Sequence, residues 1–203
     1  METWNKAIFF IAFSFLSQMA QLGRFSPGLN SEIQAGNVYL DDHTMMIRKN
    51  ISGAGGIYDI IDETTKKVSG ISTLNENKLP SGQGFIFDRL SVSYAKGALA
   101  NGEKDQSYGT GAVPQELRNS FLVIRQKGRE ILNEPVANFI KGDATASAAD
   151  NFVELLGYKV LQDEEAITMQ LVTPNGVSID AADAANNHFL EIRLKGAKTT
   201  RKA

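Results

Sequence analysis

Two stretches of the chain alternate apolar and polar side chains with a period of two. From His188 to Lys195, Leu190, Ile192 and Leu194 fall on one side and Glu191, Arg193 and Lys195 on the other. Ile167, Met169 and Leu171 alternate in the same way with Thr168 and Gln170. A helix repeats every 3.6 residues and would scatter these apolar groups around its surface, whereas successive strand residues point to opposite faces of a sheet. The period therefore predicts strands with one face buried and the other in contact with water.

From Asn37 onward the same texture recurs, with strand-like runs separated by Gly, Pro, Asn and Asp clusters. That is the sequence form of an all-β architecture. In GFIFDRLSVSYA (84–95), alternation places Ile86, Leu90, Val92 and Tyr94 on one face and Phe85 and Phe87 on the other, as in a strand entering a two-sided core. FLVIRQK (121–127) and REILNEPVANFI (129–140) flank Gly128, which can supply the positive φ of a hairpin turn. Pro135 has no N–H for a ladder and marks a bend or an edge. Further strands are expected at Val38–Leu40, Thr44–Lys49 and Tyr158–Leu161, with long surface loops at 96–112 and 142–150. PQELRNS, after Val113, suits a helical turn with Pro114 at its first position.

The beginning of the chain differs. Ala7 to Leu16 (AIFFIAFSFL) is apolar almost without interruption, and Trp4, Ile8, Ile11, Phe15 and Leu22 fit one stripe of a helix that SPG at 26–28 would end. The run is shorter than the roughly 20 apolar residues a helix needs to cross a bilayer. As a secretory signal it is poorly built: Glu2 offsets Lys6, and Gln18 occupies the minus-three position for cleavage after Ala20. The expectation is an apolar arm, 1–36, buried on another molecule, followed by a β-sandwich, 37–197, and a short basic tail, 198–203. Trp4, Ile8, Ile11 and Phe15 are its candidate assembly or membrane contacts.

A chain of 203 residues with 42% apolar and 22% charged side chains can bury one sizeable core. A formal charge of -2 provides no global field for a polyanion, so any nucleic-acid contact must be local. Absence of cysteine excludes disulfides, Cys-ligated zinc and thiol catalysis, and two histidines leave little material for a proton relay. Asp41, Asp42 and His43 bring carboxylates beside an imidazole, yet they read as a polar turn; His188 reads as a strand-end residue. Asp163, Glu164 and Glu165 read as a solvated turn, without the Asp/Asn alternation and glycine of a calcium loop. ISGAGG (51–56) and GTGA (109–112) lack the strand-to-helix context of phosphate loops and read as flexible turns. Asn50-Ile51-Ser52 and Lys141-Gly142-Asp143 match a glycosylation and an adhesion tripeptide, both short enough to arise by chance. These readings assign no catalytic, metal or cofactor-binding residue and no small-molecule substrate. A glycosidase whose carboxylates meet only in space is a distant third possibility.

The segments NVYLDDHTMMIRKNISG, KLPSGQGFIFDRLSVSYA, ELRNSFLVIRQKGREILNEPVANFI and HFLEIRLKGAKTTRK together resemble capsid proteins of small tailless icosahedral bacteriophages, including those that enclose a membrane. The resemblance lies in strand order and texture from about residue 37, and it carries over no site residue. It implies a jelly-roll β-sandwich of two packed four-stranded sheets, working as a virion structural protein that tiles a closed shell. The chain is shorter than double jelly-roll subunits, so the resemblance implies a single jelly roll or a minor shell protein. Implied partners are copies of itself and other capsid proteins, with an internal membrane or packaged nucleic acid at the termini. Lys198, Arg201 and Lys202 are the candidate nucleic-acid or lipid contacts. The alternative is a non-catalytic binding module, an adhesin or carbohydrate-binding domain, recognisable by exposed aromatics gathered on one face or loop cluster.

Overall fold

A computed structural model describes residues 2–109, 112–140, 151–180 and 182–202, with side chains from Phe10 onward. The 142–150 stretch and the tripeptide at 141–143 lie outside the described residues. The alternating segments form strands, and the chain runs α1 (Glu2–Gln21), α2 (Pro27–Gln34), β1 (Val38–Asn50), β2 (Ala54–Gly55), β3 (Ile57–Asp59), β4 (Phe85–Ala98), α3 (Gln115–Arg118), β5 (Phe121–Gln126), β6 (Arg129–Pro135), β7 (Val153–Leu161), β8 (Ile167–Val172), β9 (Ser178–Ile179) and β10 (Asn186–Arg201). Two four-stranded antiparallel sheets result, ordered β1-β10-β4-β7 and β3-β8-β5-β6, and β2 pairs with β9.

The inward faces of both sheets share one core. Met45, Ile47, Leu90, Val92, Ile192 and Leu194 from the first meet Leu122, Ile124, Ile167, Met169 and Leu171 from the second, all buried. This is an all-β sandwich, and the apolar faces of Ile167–Leu171 and Leu190–Leu194 are buried as their alternation predicts, whereas Glu191, expected in water, is 4% exposed and paired with Arg48 and Arg193. The hairpin about Gly128 also forms, with Gly128 at φ 70° and Lys127 at φ 55°.

Four local expectations are corrected. Asp41, Asp42 and His43 make no turn, because β1 is continuous and pairs residue by residue with β10, from Val38↔Arg201 to Asn50↔Phe189. A polar triplet on an edge strand needs no break, since its backbone is satisfied by the neighbouring ladder. Phe85 and Phe87 do not oppose Leu90, Val92 and Tyr94; all five join the main core, and Ile86 faces the other way. The cause is a bulge: Phe87 pairs with Gly196 and Arg89 with Lys195, leaving Asp88 as an extra residue that reverses the alternation. SPG at 26–28 starts a helix instead of ending one, with Ser26 Oγ accepting from Leu29 N at 3.3 Å and Pro27 opening α2. Pro114 caps α3 from outside, one position before its expected place.

The arm and tail also differ from expectation. Ala12, Leu16 and Ala20, spaced by four, form the buried stripe of α1 and pack with Phe25, Leu29, Ile33, Val38, Leu40 and Ile86 in a second core on the outer face of the first sheet. The arm thus covers its own domain, and α1 is rotated from the predicted stripe: Ile11 and Leu22 are exposed. Small residues at 12 and 20 let the helix approach the sheet, which a search for large apolar groups overlooks. The expected tail is, as far as Arg201, the last part of β10.

Candidate assembly surface

Leu40 on β1, Ile86 on β4 and Ala197 on β10 face outward from the first sheet and meet Ala12 of α1. Beside this contact a groove of about 520 Å³ opens, with Tyr158 of β7 along one wall. Its charged lining carries three carboxylates, Asp41, Asp42 and Asp88, and two cations, Arg89 and Lys195. Asp88 is the bulged residue, and its carboxylate lies 3.3 Å from Arg89 Nε. Lys195 Nζ lies 5.6 Å from the centroid of the Phe152 ring, which also underlies the Arg193 guanidinium at 5.0 Å.

The expected assembly residues divide. The side chains of Trp4 and Ile8 lie outside the described ones. Ile11 is 54% exposed and its neighbour Phe10 71%, while Phe15 packs on Tyr158 with ring centroids 5.7 Å apart. Leu156, fully exposed on β7, belongs with the exposed pair and was not singled out in the sequence, because EL-LGY breaks the alternation that would flag it.

The basic residues near the C-terminus have separate surroundings. Lys202 Nζ donates to Gly36 O at 2.6 Å, Arg201 lies 4.0 Å from Glu32, and both therefore tie β10 to α2 and the turn after it. Lys198 stands across the ladder from Asp41 and near His43. His43 meets the Phe85 ring edge-on at 5.5 Å, and burial, then Lys198 and Lys67, lower its pKa.

Asp163 is the clearest departure from a solvated turn. At 1% exposure it accepts from Ser26 N at 2.9 Å, Ser26 Oγ at 2.6 Å and Gly82 N at 3.0 Å, so one carboxylate joins the arm to two loops of the sandwich. Phe25 completes the junction by lying over Gly84, where a Cβ would come within 2.6 Å of its ring. His188 is likewise more than a strand end: its Nδ1 and Tyr94 OH are 2.6 Å apart in a cleft that also holds Lys96, Glu116 and Asp180. Burial, then Lys96, lower its pKa. Asn50-Ile51-Ser52 forms the turn after β1, with Ile51 buried and Ser52 Oγ accepting from His188 N at 2.8 Å.

Among the described residues, no three His, Asp or Glu side chains converge to hold a metal ion, and no helix is long and apolar enough to cross a membrane. No protein-family model and no curated protein matches the chain.

Proposed function

We propose that the protein is a virion structural protein, a single jelly-roll capsid subunit that assembles with copies of itself around a genome or an internal membrane. The observation that carries this reading is the order of the strands. Counting only the eight strands of the two larger sheets, the orders become 1-8-3-6 and 2-7-4-5. Every connection except the hairpin from the fourth strand to the fifth passes from one sheet to the other, which supports the jelly-roll reading.

Such winding joins both sheets at many points and suits a rigid tile. A tile also needs exposed apolar surface to bury against neighbours, and Phe10, Ile11 and Leu156 supply it on one side. On the other side, the register sets Ile57, Val172 and Phe121 in one row across the second sheet, with Ile57 68% exposed. Lectin domains are also jelly rolls, so the binding-module reading is compatible with the same strand order. Its mark would be clustered aromatics, and among the described residues the exposed ones, Phe10, Tyr39 and Phe121, sit on three different elements.

The experiment is a mass measurement of the purified full chain over a wide concentration range. Growth of mass with concentration supports the reading. A protein that remains a monomer under every salt condition overturns it.

A further inference from the structure

Three of the four edge strands in the two larger sheets are built against further pairing. β3 has only three residues, and β6 ends in Pro135 and carries Arg129, Glu130 and Glu134. β7 is interrupted, because its residues 155–158 stand opposite the single residue Asp88 of β4. β1 is different: its 13 residues pair with β10 without a register shift, and residues 38–47 include no proline, lysine or arginine.

The hydrogen bonds show which groups β1 leaves open. Lys202 N donates to Asn37 O and Ile51 N to His188 O, so odd-numbered residues direct their backbone groups toward β10. Met46 N donates to Thr73 Oγ1, Arg48 N donates to Ile71 O and Met46 O accepts from Thr73 N, so even-numbered residues face the opposite edge. The 71–73 segment covers that edge only from Met46 onward. Val38, Leu40, Asp42 and Thr44 therefore direct their N–H and C=O groups to an edge where they have no hydrogen-bond partner among the described residues.

We propose that this edge is a strand-pairing contact between two copies of the chain, with β1 antiparallel to β1 of the second copy and the two four-stranded sheets joined into one. The proposal rests on the self-assembly reading and names the surface that would begin it. Water can satisfy the open groups one by one, but an extended strand matches their alternation of donors and acceptors all together. A strand paired antiparallel with its own copy is two-fold symmetric, so the same edge serves both partners. Use of all four open positions sets Val38 against Thr44 and Leu40 against Asp42 of the copy. Tyr39, 40% exposed, then meets His43 of the copy on each side of the axis, two cross-strand aromatic pairs. The charges oppose this pairing: the two Asp41 face each other on the axis and the two Asp42 lie diagonally. Each Asp41 accepts from Thr200 Oγ1 at 2.6 Å and has Lys198 across the ladder, which offsets part of that repulsion.

The test follows amide hydrogen exchange, residue by residue, in the full chain at graded concentrations, with its mass measured by sedimentation. In the dilute monomer Leu40, Asp42 and Thr44 should exchange fast and Asp41 and His43 slowly. Where the mass doubles, the even-numbered amides should slow at least about tenfold. Asp42→Pro removes one outward N–H, leaves the bonds to β10 intact and should weaken association at least about tenfold. Asp41→Asn removes the like-charge pair and should strengthen association about two- to fivefold. Even-numbered amides that stay fast in the associated protein overturn this contact alone, as does weaker association of Asp41→Asn or parental association of a folded Asp42→Pro. If Asp42→Pro does not fold, exchange in the parent decides. A parent that never associates overturns both this contact and the self-assembly reading.

Discussion

Gly196 shows how narrowly one position can govern a sheet. It sits opposite the bulge of β4, where an added Cβ would overlap the Ile86 carbonyl oxygen and lie 2.5 Å from Phe87 Cα. Both atoms belong to the backbone and cannot swing aside, so Gly196→Ala is expected to destabilise the fold by about 3 kcal/mol. An unchanged thermal melt would mean that β4 and β10 are further apart than described. Asp163→Ala leaves the Ser26 and Gly82 amides without their acceptor, at an expected cost of about 2–3 kcal/mol, and protease cleavage between α1 and α2 should accelerate. The two histidines set a pH dependence. Both have pKa values below the ordinary 6.5, through burial first and then nearby lysines. Their neutral forms contribute stability that is fully present above pH 6.5 and is lost as pH falls through the lowered folded values. Denaturant midpoints should therefore decline on acidification below that point, and His43→Gln with His188→Gln should flatten the decline.

At the scale of elements, α1 has one face committed to its own domain and another in solvent. Leu16→Ala should cost about 2–5 kcal/mol because Leu16 is wholly buried, whereas Ile11→Ala should stay within about 0.5 kcal/mol. Equal melting temperatures for the two variants would put α1 in a different orientation. Deletion of residues 1–25 should no longer leave an intact sandwich surface, since Ile86, Val38 and Leu40 lose their cover. Ile192→Asp should prevent folding, because its charge would enter the main core unpaired. β8 and β10 were legible in the sequence because each keeps one face in a core, so burial writes its period directly into the residues. The course of β4 was not, because one bulged residue inverts the period and nothing local announces it. The arm's buried stripe was obscured by alanines, whose close approach to a sheet contributes packing without a large side chain. Asp163 was obscured for another reason: its donors, Ser26 and Gly82, are 137 and 81 residues away in sequence. The groove suffers from the same difficulty, as its walls come from α1, β1, β4, β7 and β10.

For the whole molecule, the central claim is that a sandwich with interleaved sheets, its own arm folded over one face and exposed apolar groups on both outer faces works as a repeating tile. The arm is then part of each subunit's surface and helps to shape the groove instead of reaching across to a neighbour. Tying β10 to α2 through Lys202 and Arg201 also holds the last strand and the arm together on that face. Exposed apolar groups on two different faces would let each copy meet more than one neighbour, and the rotation between neighbours decides whether the assembly closes or runs on as a filament. Electron microscopy of the purified full chain, concentrated at several salt strengths with any additional shell proteins it requires, tests this most directly. The account predicts closed particles of uniform size; a field of dispersed monomers under every condition would contradict it.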